Sequence, residues 1–359
     1  MRVSFLLPHF PWRPIGGFRV VYEYASRLAM RGYEVTVIHS GQLRSSQLEG
    51  EGLPNAVWRV GKNLVNRFFQ PKVGWHNINP SVRMKFINKL SERTIPESDV
   101  IVATAWQTAE LVMSLPPTKG KKVYLIQSYE DWSGPRERVD ATWRFPMKKV
   151  VIAKWLLRKG IELGVSPKEM FYVPNAIDTE KYRILFPISE RKKHVSMAYS
   201  PLAVKGAVDG IRAITLAKEL VPEMEATVFG TSTRPSLLPK WVTYRRNPSQ
   251  TEIVSDIYNW ASVFVSSSLI EGWSLPGAEA MACGCALSST DSKGVREYAE
   301  HNVTALLSPP ASPIGLSENI VRLLRDDHLR QRIAENGYMR IRSFSWDKSV
   351  EMFCQVITQ

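Results

Sequence analysis

The sequence predicts an α/β protein of two successive doubly wound domains facing a central cleft, on the strength of three observations. Short apolar strands alternate with segments of helical period along most of the chain. Near the middle, the polar, proline-broken stretch VPNAIDTEKYRILFPISERKK interrupts the alternation and reads as a linker, after which the alternation restarts. The 359 residues are 44% apolar, enough for a sizeable core. Single cores stop growing near about 250–300 residues, so two domains are expected.

RVSFLL (Arg2–Leu7) reads as a buried strand, followed by the turn segment PHFPWRPIGG and a helix from Phe18 to about Arg31. Gly32 stops that helix, and Glu34–His39 is the next strand. Strand, glycine-bearing loop, helix, strand is a right-handed βαβ unit. Gly41 to Pro80 has no clear period and reads as loop-rich. Strands follow at Asp99–Thr104 and Lys122–Gln127, with a helix from about Trp106 to Leu115 between them. KVVIAK and EMFYVPN are further strands, separated by a helix near Trp155–Leu163. Beyond the linker, HVSMAYS, EATVFG, WVTYRR and ASVFVSSS are strands, with helices at Ala207–Leu220 and Gln250–Trp260. CALSS and TALLS are short strands, and helices at Ser312–Arg325, Asp327 to about Ser343, and Trp346–Ile357 close the chain.

The bulk numbers exclude several classes. Three cysteines argue against a disulfide framework, and Cys283 and Cys285 alone make a poor zinc signal, so packing in a reducing cytoplasm is expected. The apolar run after Arg2 is too short for a signal peptide, and no later run approaches a membrane span. The net charge is +13, and the surplus belongs to the first half, where 26 Lys+Arg face 16 Asp+Glu through Glu180. It is densest from Arg136 to Lys159, interleaved with Trp132, Trp143, Phe145 and Trp155. Positive charge beside tryptophan suits an anionic partner, either a membrane interface, a lipid phosphate or single-stranded nucleic acid; a solvated helix face over buried aromatics is the plainer reading.

Open parallel sheets bind ligands at the carboxyl ends of their strands, where helix N-termini present free amides. Three segments have that form. Gly16 and Gly17 open the first helix without making a dinucleotide fingerprint. In YSPLAVKGAVDGI, Lys205 and Gly206 fall between a strand and a helix, where a lysine can reach a diphosphate. In LIEGWSLPGAEAMACGCAL, Pro276 suits the first turn of a helix, so the amides of Gly272, Trp273, Ser274 and Leu275 feed its N-terminus. Glu271 stands in the loop before them, and Glu279 lies near the end of the first turn.

GGFRVVYEYASRLAMRGYEVTVI, VPNAIDTEKY, the Lys-Gly pair and EGWSLPGAEAMACG together resemble the retaining glycosyltransferases of family 4, which have the GT-B fold. FSWDKSVEMF resembles that family's closing helix. The resemblance implies a Rossmann-like acceptor-binding domain over 1–183, a Rossmann-like nucleotide-sugar-binding domain over 184–342, and a helix over 343–359 crossing back onto the first domain. It implies transfer of a hexose or deoxyhexose from a nucleotide-diphosphate sugar to a saccharide or lipid-linked hydroxyl, with configuration retained and no metal or other cofactor. Glu279 would hold the ribose, Glu271 the donor sugar, and Lys205 with the loop amides the diphosphate, with Gly16 and Gly17 lining the donor phosphates.

The chain departs from the pattern at Ser200, where the family usually carries an arginine; either another cation, Arg19, Arg245 or Arg246, takes over, or phosphate binding is weaker. Gln127, in LIQSYEDW, stands where many members have a histidine, and joins Glu271 and Lys205 in the implied catalytic set. LIQSYED resembles a variant of polysaccharide-assembly members, including rhamnosyltransferases. His9, Glu130, Asp131 and Trp132 are the acceptor-side candidates. The expected partners are therefore a nucleotide sugar and an anionic or lipid-linked acceptor, at the cytoplasmic face of a membrane. A nucleic-acid acceptor and a non-catalytic nucleotide-sugar-binding protein are the alternatives.

Overall fold

A computed structural model describes residues 1–41, 43 and 72–359. Most of the stretch expected to be loop-rich therefore lies outside the described residues, and residues 72–80 carry neither helix nor strand. The chain divides into two units: Met1–Pro174 with Ser349–Gln359, and Asn175–Lys348.

The first unit is a seven-stranded parallel sheet with strands β1 (Arg2–Leu7), β2 (Glu34–Ser40), β3 (Arg83–Ile87), β4 (Val100–Ala103), β5 (Lys121–Ile126), β6 (Lys148–Val151) and β7 (Met170–Tyr172). Their order in the sheet is β3-β2-β1-β4-β5-β6-β7. The register sets Val3 beside both Val35 and Val100. Strand β1 is buried from Val3 onward, as a continuous apolar run covered on both faces should be. Helices α1 (Gly16–Met30), α2 (Trp106–Ser114), α3 (Arg136–Trp143) and α4 (Lys154–Glu162) join the strands. The tail of the closing helix, Trp346–Thr358, belongs here: Phe353 packs on Phe5 and Tyr24, with ring centroids 6.0 and 4.8 Å apart.

The basic, tryptophan-bearing strip is not one surface. Trp143 and Trp155 are buried, so its main aromatics belong to the core. Lys149 is wholly buried, donating to Phe145 O at 2.6 Å and pairing with Glu169 at 2.8 Å. Arg138 is bidentate to Glu110. Strand β3 and helix α3 went unread in the sequence, because the edge strand RMKFI mixes cations with apolar residues and RERVDATW is mostly polar.

The second unit is a six-stranded parallel sheet of β8 (His194–Tyr199), β9 (Glu225–Gly230), β10 (Thr243–Arg246), β11 (Val263–Ser266), β12 (Ala286–Thr290) and β13 (Ala305–Ser308), ordered β10-β9-β8-β11-β12-β13. Its helices include α5 (Ala207–Leu220), α6 (Leu275–Ala282), α7 (Pro313–Arg325) and α8 (Asp327–Ile341). Val195, Met197, Ile214, Leu324 and Ile333 are among the residues of its core. The expected helix Gln250–Trp260 is one α-turn, Gln250–Glu252, running into a π-helical stretch, Ile253–Tyr258.

The end of the expected linker is packed into this unit. Arg191 is buried and donates to the carbonyl oxygens of Phe186, Tyr258, Ala261 and Cys283, while Asn259 Oδ1 accepts from Leu185 N at 2.7 Å. A guanidinium shared among carbonyls stitches the segment to the C-terminus of α6. Among the described residues, no helix is long and apolar enough to cross a membrane.

Candidate functional site

In the second unit the strand order reverses between β8 and β11, the place where open α/β sheets take ligands. Both strands deliver candidate residues there. After β8 a short turn, Ala203–Lys205, ends in Gly206 with φ +56°. A Cβ on Gly206 would lie 2.1 Å from Ser267 O, so only glycine lets the backbone after Lys205 pass this close to the end of β11. Lys205 Nζ donates to both Glu271 oxygens, at 2.8 and 2.9 Å, and Ser268 Oγ donates to Glu271 Oε1 at 2.7 Å. Glu271 N donates to Ser292 O at 2.9 Å, and Glu271 forms a parallel bridge with Lys293. The carboxylate is thus fixed by both a cation and a hydroxyl.

The loop from Glu271 runs into α6 through Ser274, which has φ 67° and ψ 73°. Tyr298 donates to Ser274 O at 2.7 Å and so braces this left-handed residue. The Trp273 side chain is packed between Tyr298 and Phe344, leaving its main-chain amide as its share of the loop. Leu275 begins the helix and Pro276 falls in its first turn, where its missing N–H has no cost. First-turn amides have no intrahelical acceptor, so this junction is electropositive.

Glu279 is 4% exposed, and Tyr258 OH donates to its Oε2 at 3.1 Å. Burial, then the Glu279 charge, pushes the Tyr258 phenol well above its ordinary range. Tyr258 is the last residue of the π-helical stretch.

Ser200 accepts from Leu202 N at 3.4 Å and carries no charge to replace the expected arginine. Of the proposed substitutes in this unit, Arg245 pairs with Asp256 at 3.4 Å. Arg246 ends β10, in register with Gly230 and through it with Tyr199. Lys293 occupies a turn with φ 63° and ψ −67°, closed by Gly294 N donating to Ser292 O at 2.8 Å.

The first unit brings a smaller group together at the carboxyl ends of its strands. Gln127 Nε2 donates to Gly17 O at 3.0 Å, and a Cβ on Gly17 would touch the Gln127 amide. Gly16 is the first residue of α1. Arg19, also on α1, stands in this unit. His9 lies on Phe18, with centroids 4.8 Å apart, and its Nδ1 is 3.3 Å from Phe10 O. Glu130 Oε2 accepts from Trp106 N, the first amide of α2, at 2.9 Å. Burial pushes the Glu130 carboxyl up to about 7, with the Trp106 hydrogen bond pulling the other way. Asp131 and Trp132 are exposed beside it.

Ser268, Tyr258, Tyr298 and Lys293 were not singled out in the sequence. Serine and tyrosine are common in both cores and sites, and nothing in their local spacing marks a hydrogen bond to a distant glutamate. For Lys293, the signal was a lysine before a glycine after a strand, which also describes many surface turns.

Residues 180–340 match the family model of glycosyl transferases group 1. Over 121 residues the chain is 30% identical to sucrose-phosphate synthase 1 of Arabidopsis thaliana, covering 33% of this chain and 12% of that protein. Over 112 residues it is 29% identical to a D-inositol 3-phosphate glycosyltransferase of Xylanimonas cellulosilytica, covering 31% of this chain and 27% of that protein. The chain thus spans less than a third of each of these relatives. The structure of Anabaena HepE in complex with UDP-glucose superposes with a TM-score of 0.74 at 15% identity, over 100% of this chain and 98% of that one. The fold is GT-B, with two Rossmann-like α/β units.

Proposed function

We propose that this protein is a retaining glycosyltransferase that moves a hexose or deoxyhexose from a nucleotide-diphosphate sugar to a hydroxyl of a saccharide or lipid-linked acceptor. The observation that carries this reading is the Lys205–Glu271 pair, set at the β8/β11 reversal beside the N-terminus of α6. It lies inside the segment that matches the glycosyl transferase model. The UDP-glucose held by HepE, a protein of the same fold, supports a nucleotide-sugar donor.

In this reading Glu279 holds the ribose hydroxyls, Glu271 the donor sugar, and Lys205 with the amides of Gly272 to Leu275 the diphosphate. Glycosyl transfer passes through an oxocarbenium-like state while charge builds on the departing phosphate. A fixed ammonium and helix amides aimed at that phosphate stabilise the transition state more than the ground state. In this reading positively charged and polar protein groups take the place of a divalent metal, so turnover should persist in a chelator. Gly16 and Gly17 are assigned to donor phosphates, Gln127 to a sugar or acceptor hydroxyl, and His9, Glu130, Asp131 and Trp132 to the acceptor. The basic surplus of the first half suits an anionic or lipid-linked acceptor at the cytoplasmic face of a membrane.

Calorimetric titration of UDP, GDP and ADP into wild-type protein and Glu279→Ala tests the donor site. One nucleotide should bind the wild type and bind the variant at least about tenfold more weakly, since a buried hydrogen bond to a charged group is lost. Equal affinity in the two proteins would sink the assignment.

A further inference from the structure

We propose that Lys293 supplies the second positive charge of the diphosphate site, a role that rests on the nucleotide-sugar reading above. Charge balance creates the need. A nucleoside diphosphate carries more than one negative charge, yet the Lys205 ammonium is already matched by Glu271, with both carboxylate oxygens within 2.9 Å. Glu279 adds a second carboxylate, and Ser200 brings only a hydroxyl. The amides at the N-terminus of α6 add only about half a unit of positive charge, so with Lys205, Glu271 and Glu279 the site stays short of positive charge for such a ligand.

Lys293 is a cation whose backbone is packed directly on the loop before α6. It forms the parallel bridge with Glu271. The preceding residue, Ser292, is fully buried, and its carbonyl accepts from both Glu271 N at 2.9 Å and Gly294 N at 2.8 Å. The following residue, Gly294, is so close to Gly272 that a Cβ would lie 2.4 Å from the Gly272 carbonyl carbon. Between these two buried neighbours Lys293 itself is exposed.

Its backbone conformation makes the choice of residue costly. A central residue at φ 63°, ψ −67° with a hydrogen bond between its neighbours is the γ-turn that residues bearing a Cβ avoid. Glycine would adopt it without strain. A lysine kept in a turn suited to glycine, against the loop of the proposed donor site, is accounted for by a ligand that needs its charge.

The other nearby cations are less well placed. Arg296 lies three residues beyond the bridge to Glu271, with its guanidinium directed to Asp291. Arg245 and Arg246 both lie on β10, two places from β8 in the sheet.

The test compares wild type, Lys293→Gly, Lys293→Arg and Glu279→Ala by calorimetry with the tightest binder among UDP, GDP and ADP and with its nucleoside, alongside thermal melts. Lys293→Gly should weaken the diphosphate by about tenfold and leave the nucleoside unchanged, since one charge-assisted contact to phosphate is lost. Its melting temperature should equal or exceed that of the wild type, and Lys293→Arg should keep most of the affinity. Opposite signs for stability and affinity separate a ligand contact from a structural role. If Lys293→Gly binds the diphosphate as tightly as wild type while Glu279→Ala does not, the Lys293 assignment is overturned and the donor site stands. Equal losses for diphosphate and nucleoside also overturn it. A wild type that binds none of the three diphosphates removes the donor reading and this inference together.

Discussion

Lys205 and Glu271 stand 66 residues apart in the sequence, yet the Lys205 ammonium donates to both oxygens of the Glu271 carboxylate. They follow β8 and β11, the two strands at which the order of the second sheet reverses. The pair is partly buried, with side-chain exposures of 36% and 11%. Its attraction is therefore screened less than that of a surface pair.

Lys205→Ala leaves the Glu271 carboxylate with Ser268 alone as a side-chain partner among the described residues. We expect a stability loss of about 1–2 kcal/mol, below the roughly 3–5 kcal/mol of a fully buried pair because the ammonium is partly solvated. If Lys205 faces the leaving phosphate as proposed, turnover of the donor should fall by about 100-fold or more, since such a fixed charge acts mainly in the transition state. Thermal melts and nucleotide-diphosphate release measure the two effects separately.

Gly206→Ala should be far more damaging than Gly32→Ala, although both glycines have positive φ. Gly32, at φ +83°, has nothing within 4 Å of where an added Cβ would lie, so only backbone strain of about 1 kcal/mol is expected. Gly206 would place its Cβ 2.1 Å from Ser267 O, and displacing that backbone should cost roughly 3 kcal/mol or more. A smaller drop in melting temperature for Gly206→Ala than for Gly32→Ala would contradict the close approach at Lys205.

Tyr258→Phe removes the hydroxyl that donates to Glu279 while keeping the ring among Phe229, Phe264 and Tyr182. Affinity for the bound nucleoside diphosphate should fall by roughly fivefold, about 1 kcal/mol. Affinity for its 2′-deoxy form should change less, because the loosened carboxylate is the proposed ribose contact. Equal losses for both ligands would assign Tyr258 to packing alone.

Glu130 gives a pH dependence with a definite sign. Its ordinary value is 4.5, and in the folded state burial raises it to about 7. Between those values the folded chain holds a proton that the unfolded chain has released, so this group's contribution to stability falls as pH rises and levels off above about 7. Glu130→Gln keeps an acceptor for Trp106 N and loses the titration. The variant should melt close to wild type near pH 4 and above it at pH 8. Parallel melting curves across that range would show that Glu130 does not titrate there.

The regular frame was readable along the chain. Runs such as RVSFLL and EATVFG are buried on both faces in a parallel sheet, so their apolar character is local and continuous. Helix Ala207–Leu220 falls where its period placed it. Edge and surface elements were harder: β3 and α3 lack a clean apolar period because few of their side chains reach the core. The π-helical turn at Ile253–Tyr258 also escaped, since an inserted residue in a helix leaves the surrounding pattern almost unchanged.

Lys205, Glu271 and Glu279 were singled out because they fall at or just after strand-to-helix junctions, in segments that resemble the glycosyltransferase pattern. What those residues touch was a matter of tertiary structure. Ser268 against Glu271, Tyr258 against Glu279, and Lys293 beside the Glu271–Gly272 backbone all depend on which strands become neighbours and in what register. The same holds for the tryptophans of the basic strip, whose alternation with cations reads equally as surface or core until the sheet buries Trp143 and Trp155. Local propensity and periodicity act over one helix or strand, whereas a hydrogen bond between residues dozens of positions apart exists only once the whole sheet has closed around it.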